Sequence, residues 1–411
     1  MFNLTDYESF KAYLFLHQDI KNATEANVVI KELEGEKANW GKAMALSKVD
    51  DYYPQIYITL ADAYFKIRDF QKAIDYLQQI TNELESNKDF QYYFEYRSLA
   101  YDLLAKCYCY LDSGNDALPY MRKSVFNNMK IFCRTRYDKF DFYSFRGVSE
   151  YSLADLSNNT VTLSDPTTFN DPVDTALFPN LLLKIDEEKN PCEKLYHEVM
   201  YKAYANIRIR CFVRNLHLPE KEGRDAVKPE EEYNNTLMWS HYADYHKGFC
   251  IKYVFPSNIL EHTNPNLIYQ FMEMDYVESL NPNKDLNFKE AFFTKNKAWE
   301  YEHEKRLLFY DVNESQKFVV QKIPAGCIKE VYLGLKCSLE DQYKIKKALK
   351  ADPNIKVFRM VLSRDNLYKI RSYEINWNEI PAPPTKKQKK ENCCRRILRF
   401  IDKRINLYLN K

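Results

Sequence analysis

Glycine is scarce in this chain, with 8 residues in 411 positions. A nucleotide fold built on Gly-rich phosphate loops needs more, and neither a GxGxxG nor a P-loop pattern occurs. Long apolar runs are missing too: nowhere do about 18 uninterrupted apolar residues stand together to cross a bilayer. Neither sign of charge dominates. Lys and Arg number 60 against 58 Asp and Glu, a net charge of +2 that gives no global footprint of nucleic-acid binding. The ten cysteines include no CxxC pair, so no zinc spacing and no metal ligand is expected. Cys107 and Cys109 lie in an apolar helical stretch and Cys393-Cys394 in a basic tail. Residues Met1 to Glu8 carry neither the basic nor the apolar region of a secretory signal, so a cytoplasmic location with reduced thiols is expected.

Aromatics are abundant, with 33 Tyr and 25 Phe, and 45% of the chain is hydrophobic. A chain of this length can bury a sizeable core and is expected to hold more than one domain. Residues 1–132 read as almost wholly helical and contain an internal repeat. Leu60, Ala61, Tyr64, Ala73 and Leu77 return at the same offsets as Leu104, Ala105, Tyr108, Ala117 and Met121. Small alanines let two antiparallel helices approach closely, and the larger positions fill the groove between them. Turns are expected at Arg68-Asp69 and at Ser113-Gly114-Asn115. The pattern resembles the tetratricopeptide repeat, although its copies stand 44 residues apart rather than the family's roughly 34. A degenerate earlier copy would use Ala12, Phe15 and Val28. Such helical repeats imply a protein partner; a plain helical bundle is the alternative.

From residue 138 to about 375 the pattern is α+β. Strands are expected at Asp141–Arg146, Thr160–Ser164, Gly248–Tyr253, Ile328–Leu333 and Lys356–Val361, with helices at Tyr151–Leu156 and Leu339–Leu349. Residues 192–214 read as helical, and the chain reads as strand-rich from Trp239. Residues 380–411 form a proline-led basic linker and an amphipathic tail. That tail suits an anionic membrane surface or nucleic acid, though docking on its own protein or staying mobile is the commoner fate.

One segment concentrates charge: Lys297-Ala298-Trp299-Glu300-Tyr301-Glu302-His303-Glu304-Lys305-Arg306. As a strand it would place three glutamates and Arg306 on one face. As a helix it would pair Glu302 with Arg306. Three other segments accompany it: Phe142-Tyr143-Ser144-Phe145-Arg146, Phe169-Asn170-Asp171-Pro172, and Trp239-Ser240-His241-Tyr242-Ala243-Asp244-Tyr245-His246-Lys247-Gly248-Phe249-Cys250. In this order the four segments closely resemble the signature of the bacterial DUF2971 family.

The arrangement also resembles, more loosely, that of ADP-ribosyltransferases. That resemblance implies an ADP-ribosyltransferase-like fold using NAD as substrate. It implies Glu304 as catalytic carboxylate with Glu302 beside it, and Arg146, Tyr242, Asn170 and His246 as cofactor contacts. The chemistry is coherent: an arginine grips a pyrophosphate, a tyrosine stacks on nicotinamide, and a fixed carboxylate steadies an oxocarbenium-like cation. Crowding two carboxylates would raise the pKa of one of them. Such a chain suits a toxin or an antiphage-defence effector.

Each residue also has a structural reading. Arg146 would pair with a carboxylate of the Glu-x-Glu segment, His241 and His246 would be hydrogen-bonded, and Asn170-Asp171-Pro172 would be a rigid turn. Trp239 and Trp299 would sit in the core, with Glu300 a bystander. The functional alternative is a non-catalytic sensor or scaffold that binds nucleotide or protein. A metal-dependent nuclease ranks third, for want of a supporting Asp and Lys at nuclease spacing in the sequence.

Overall fold

The computed structural model describes Tyr13 and residues 20–39, 52–87, 93–132, 139–214, 232–256, 271–281, 286–310, 317–366 and 368–383. In chain order the helical part holds α1 (Ala23–Gly35), α2 (Tyr52–Lys66), α3 (Phe70–Ser86), α4 (Phe94–Tyr110) and α5 (Gly114–Phe132). Then come β1 (Lys139–Arg146), α6 (Glu150–Asn158), β2 (Thr160–Ser164), α7 (Leu177–Glu187), α8 (Pro191–Tyr204), β3 (Ile207–Arg214), α9 (Thr236–Tyr242) and β4 (Phe249–Pro256). The rest comprises β5 (Phe271–Glu273), β6 (Asp275–Val277), α10 (Phe288–Phe292), β7 (Thr294–Asn296), β8 (Glu304–Tyr310), β9 (Phe318–Lys322), β10 (Ile328–Leu333), α11 (Leu339–Ala348), β11 (Lys356–Leu362) and β12 (Ile370–Ile375). Helices followed by strands mixed with helices make the chain α+β. Among the described residues no helix is long and apolar enough to cross a membrane.

Packing divides the chain into two units, and neither is continuous in sequence. The first comprises Met1–Asp138, Thr162–Cys211 and Ser257–Val320. The second comprises Lys139–Val161, Phe212–Pro256 and Gln321–Lys411. The α+β stretch thus supplies segments to both.

In the first unit, α2 with α3 and α4 with α5 form the two helical hairpins whose turns the sequence marks. Arg68 takes φ +64 and Asp69 caps α3 by accepting from Lys72 N; Asp112, at φ +55, turns the chain ahead of Gly114. Leu60, Ala61, Ala73, Leu77, Leu104, Ala105 and Ala117 are fully buried. Tyr64 and Met121 are nearly so, and Tyr108 is half-buried. The earlier copy of the repeat fares differently. Val28 is exposed because α1 buries Ala26, Val29 and Leu33 instead, and Ala12 and Phe15 lie outside the described residues. A second cluster packs Ala105, Ala117 and Met121 against Leu177, Phe178 and Leu181 of α7, Val199 and Ala203 of α8, and Leu308 of β8. Burying each of the leucine, valine, methionine and phenylalanine side chains among them contributes roughly 1.5–3 kcal/mol. Strand β8 lies beside β3 and β5, and Ser164 of β2 registers with Ile209 of β3.

The second unit is a sheet in the order β12-β11-β10-β4-β1, mostly antiparallel, with β10 and β11 parallel. Phe142 and Tyr143 of β1 register with Arg214 and Val213 at the end of β3. Aromatics fill this sheet: Tyr233 stacks on Tyr332 at 4.2 Å, and Phe145 meets the fully buried Trp239 edge-on at 5.3 Å.

Two sequence expectations need correction. Residues 192–214 are not one helix: α8 ends at Tyr204, and Ile207-Arg208-Ile209-Arg210 begins a strand, where alternation with period two overrides the helical pattern. Trp239 lies in a helix rather than a strand region, because Asn235 accepts from Leu237 N and Met238 N and so starts α9. The expected tail beyond residue 383 lies outside the described residues.

Candidate functional site

The charged segment is neither one strand nor one helix. Asn296 starts a short 3-10 helix over Lys297–Glu302, accepting from Ala298 N, and His303 then turns left-handed at φ +43 before β8 begins at Glu304. This kink lets Glu302 and Glu304 converge on one cation, Lys295 of β7. Its ammonium lies 2.6 Å from Glu302 Oε2, 3.0 Å from Glu304 Oε2 and 3.3 Å from Asp174 Oδ2. Arg306, with no solvent exposure, completes the network. It donates from Nε to Glu304 Oε1 at 2.6 Å, from Nη1 to Phe292 O at 3.0 Å, and from Nη2 to both oxygens of Asp174 at 2.6 and 2.7 Å. The Phe169 ring lies 5.6 Å from the guanidinium and the half-buried Trp299 ring 5.0 Å from the Lys295 ammonium. Five charged side chains are therefore buried together: three carboxylates and two cations.

The electrostatics follow from that arrangement. Burial alone would raise the Glu304 carboxyl, but the charges of Arg306 and Lys295 outweigh it and hold the group far below the usual carboxylate range. Crowding against Glu302 therefore does not raise Glu304. Burial would likewise lower Lys295, yet Glu304, Asp174 and Glu302 push it up. The neighbouring Cys211 thiol is pushed well up by burial and then by Glu304, which favours its protonated form.

The Phe169-Asn170-Asp171-Pro172 segment serves this network. Phe169 flanks Arg306, and Asp171 builds the turn by accepting from Val173 N at 3.0 Å. Asp174 follows, presented beside Thr175, a buried β-branched residue held at φ +50. Asn170 itself is exposed. Asp174 and Lys295 escaped the sequence reading. The available signal was charge balance: three buried carboxylates need more cation than Arg306 supplies, and Lys295 stands just ahead of the segment.

Arg146, Tyr242 and His246 belong to the second unit, whereas Asn170, Glu302 and Glu304 belong to the first. Arg146 does pair internally, but with Asp155 of α6 rather than with the Glu-x-Glu segment; Asp155 also accepts from Thr160 Oγ1 at 2.9 Å. The Trp239–Cys250 segment forms a tight loop in which Asp244, Tyr245 and His246 are all left-handed, at φ +46, +54 and +69. Backbone contacts enforce that path. A Cβ on Gly248 would lie 2.0 Å from Arg146 O, and one on Gly334 would lie 2.2 Å from His246 O. The His246 ring stacks on Trp239 and its Nε2 lies 3.2 Å from Ser240 Oγ, while its buried Nδ1 has no hydrogen-bond partner among the described residues. Burial and the Lys336 charge lower its pKa, favouring the neutral ring. Tyr242 is half-buried with its ring edge-on to His241.

Among the described residues no group of His, Cys, Asp and Glu is placed to hold a metal ion. No protein-family model matches the chain, and neither the curated proteins nor the solved structures contain a significant match to it.

Proposed function

We propose that this chain works by binding rather than by catalysis, its α+β part acting as a non-catalytic sensor or scaffold. The helical hairpins would engage a protein partner in the manner of tetratricopeptide repeats. One observation carries the reading: Glu302 and Glu304 are both buried, and their carboxylates are engaged by Lys295 and Arg306. A carboxylate that must steady a developing cation has to face a substrate pocket. Here Glu304 is 5% exposed and already neutralised from two sides. The resemblance to the DUF2971 family and a cytoplasmic location belong to the same proposal, the first resting on the four sequence segments and the second on the sequence of Met1 to Glu8 and the unpaired cysteine spacing.

The competing reading is an NAD-consuming enzyme of ADP-ribosyltransferase type, in a toxin or antiphage effector. It would require Glu304 to be freed of both cations. Incubating the purified full chain with NAD, with and without cell extract, and following nicotinamide release separates the two. The binding reading predicts no release above buffer, with any NAD affinity seen by calorimetry alone. Sustained release would overturn it.

A further inference from the structure

The first unit holds a cavity of about 430 Å³ between α4, α5, α7 and α8. That is within the range of small-ligand sites, roughly 300–1,000 Å³. Its lining is polar as well as apolar, and one lining residue is poorly served by its surroundings. Among the described residues the Asp102 carboxylate accepts only from the Tyr196 hydroxyl, at 2.8 Å to Oδ1 and 2.9 Å to Oδ2. Among the described residues it forms no ion pair. Lys106, one turn along α4, turns away to Glu193 at 3.0 Å and lies over the Tyr196 ring at 5.1 Å. Burial pushes the Asp102 carboxyl up, an effect only partly offset by the Tyr196 hydroxyl and the Lys106 charge.

A carboxylate has room for about four accepted hydrogen bonds, and half-buried Asp102 faces the cavity with a single hydroxyl donor. The cavity wall offers a second unsatisfied group. The buried Nδ1 of His197 has no hydrogen-bond partner among the described residues. Burial, and then the Lys184 charge, lower the pKa of this histidine, so its ring favours the neutral form. A neutral imidazole leaves one ring nitrogen as an acceptor. In the tautomer that leaves Nδ1 unprotonated, both groups accept, and both suit a compact cation rich in N–H donors.

We propose that this cavity binds an amine or guanidinium head group, with Asp102 as its counter-ion and His197 as a further acceptor. The head group comes either from a free small molecule or from a Lys or Arg side chain of a partner protein. The proposal goes beyond the reading of the α+β part and holds whether or not that part is catalytic.

The test uses the full chain in calorimetry and thermal-shift titrations. n-Butylamine and n-butylguanidine stand for the free source, and capped Gly-Lys-Gly and Gly-Arg-Gly peptides for the side-chain source; n-butanol is the uncharged control. At least one charged probe is expected to bind, with n-butanol silent and affinity roughly tenfold or more weaker in Asp102→Asn. Tighter binding of the free amines than of the peptides assigns the free source, and the reverse order assigns the partner side chain. If Asp102→Asn does not fold, Lys184→Ala serves instead. Removing that like charge at the cavity is expected to tighten binding of a cation a few-fold. No charged probe binding, equal binding by Asp102→Asn, or unchanged binding by Lys184→Ala would overturn the proposal.

Discussion

Lys295 and Arg306 each hold two or more buried carboxylates, so neither can be removed without stranding charge. Breaking a buried pair from one side costs about 3–5 kcal/mol. Arg306→Met is expected to destabilise the protein by about that much in urea unfolding, while Glu300→Gln, at an exposed neighbour, changes it by less than about 0.5 kcal/mol. The network also fixes a pH window. Glu304 is held below its ordinary 4.5, so its contribution is present in full above pH 4.5 and is lost as pH falls towards the folded value. Lys295 is held above its ordinary 10.5, so its contribution is full below pH 10.5 and is lost only at higher pH. Unfolding free energies measured across pH should therefore show a plateau between 4.5 and 10.5 from these groups, with the acid limb shallower in Glu304→Gln. An unchanged acid limb would contradict the assignment. The sequence showed the glutamates and Arg306 because they cluster within one segment. Asp174 stayed hidden because its bond to Arg306 spans 132 residues, and no local pattern reports such a contact.

The elements were most legible where period and punctuation agree. The helical hairpins follow from buried alanines at matched offsets and from the turn at Arg68-Asp69, while the second turn falls at Leu111-Asp112, just ahead of the expected Ser113-Gly114-Asn115, whose last two residues begin α5. Strand β2 runs over Thr160–Ser164 as its β-branched residues imply. They were least legible where one residue's backbone decides. His303 alone separates the 3-10 turn from β8, and without its left-handed conformation Glu302 and Glu304 would follow one regular pattern. The Trp239–Cys250 segment is a similar case, since its three consecutive left-handed residues are imposed by close backbone approach at two glycines. Gly248→Ala is accordingly expected to lower stability by about 1–3 kcal/mol in thermal unfolding, because the added carbon meets a backbone carbonyl that cannot swing aside. Gly35→Ala, which meets nothing within 4 Å, should be neutral or slightly stabilising. Equal effects at both positions would refute the steric account of the loop.

At the scale of the molecule, the sequence suggested a helical part followed by an α+β part, and the order of elements agrees. Packing is not linear along the chain, however. Segments 162–211 and 257–320 associate with the helices, while 139–161, 212–256 and 321–411 form the other unit. The four signature segments are thereby shared between the units, and within the first unit the Phe169–Pro172 and Lys297–Arg306 segments meet through Arg306, Asp174 and Phe169. A motif list read in sequence order could not show that two of its members are counterparts in one ionic network. Glu304 acts as a structural counter-ion, and Glu304→Gln measured in two ways on one preparation tests this. Lys295 keeps Glu302 and Asp174 and Arg306 keeps Asp174, so the loss of the Glu304 hydrogen bonds is expected to lower the unfolding free energy by about 1–3 kcal/mol, with no nicotinamide release from NAD by either protein. Unaltered stability, together with a release activity that the parent has and the variant lacks, would contradict it.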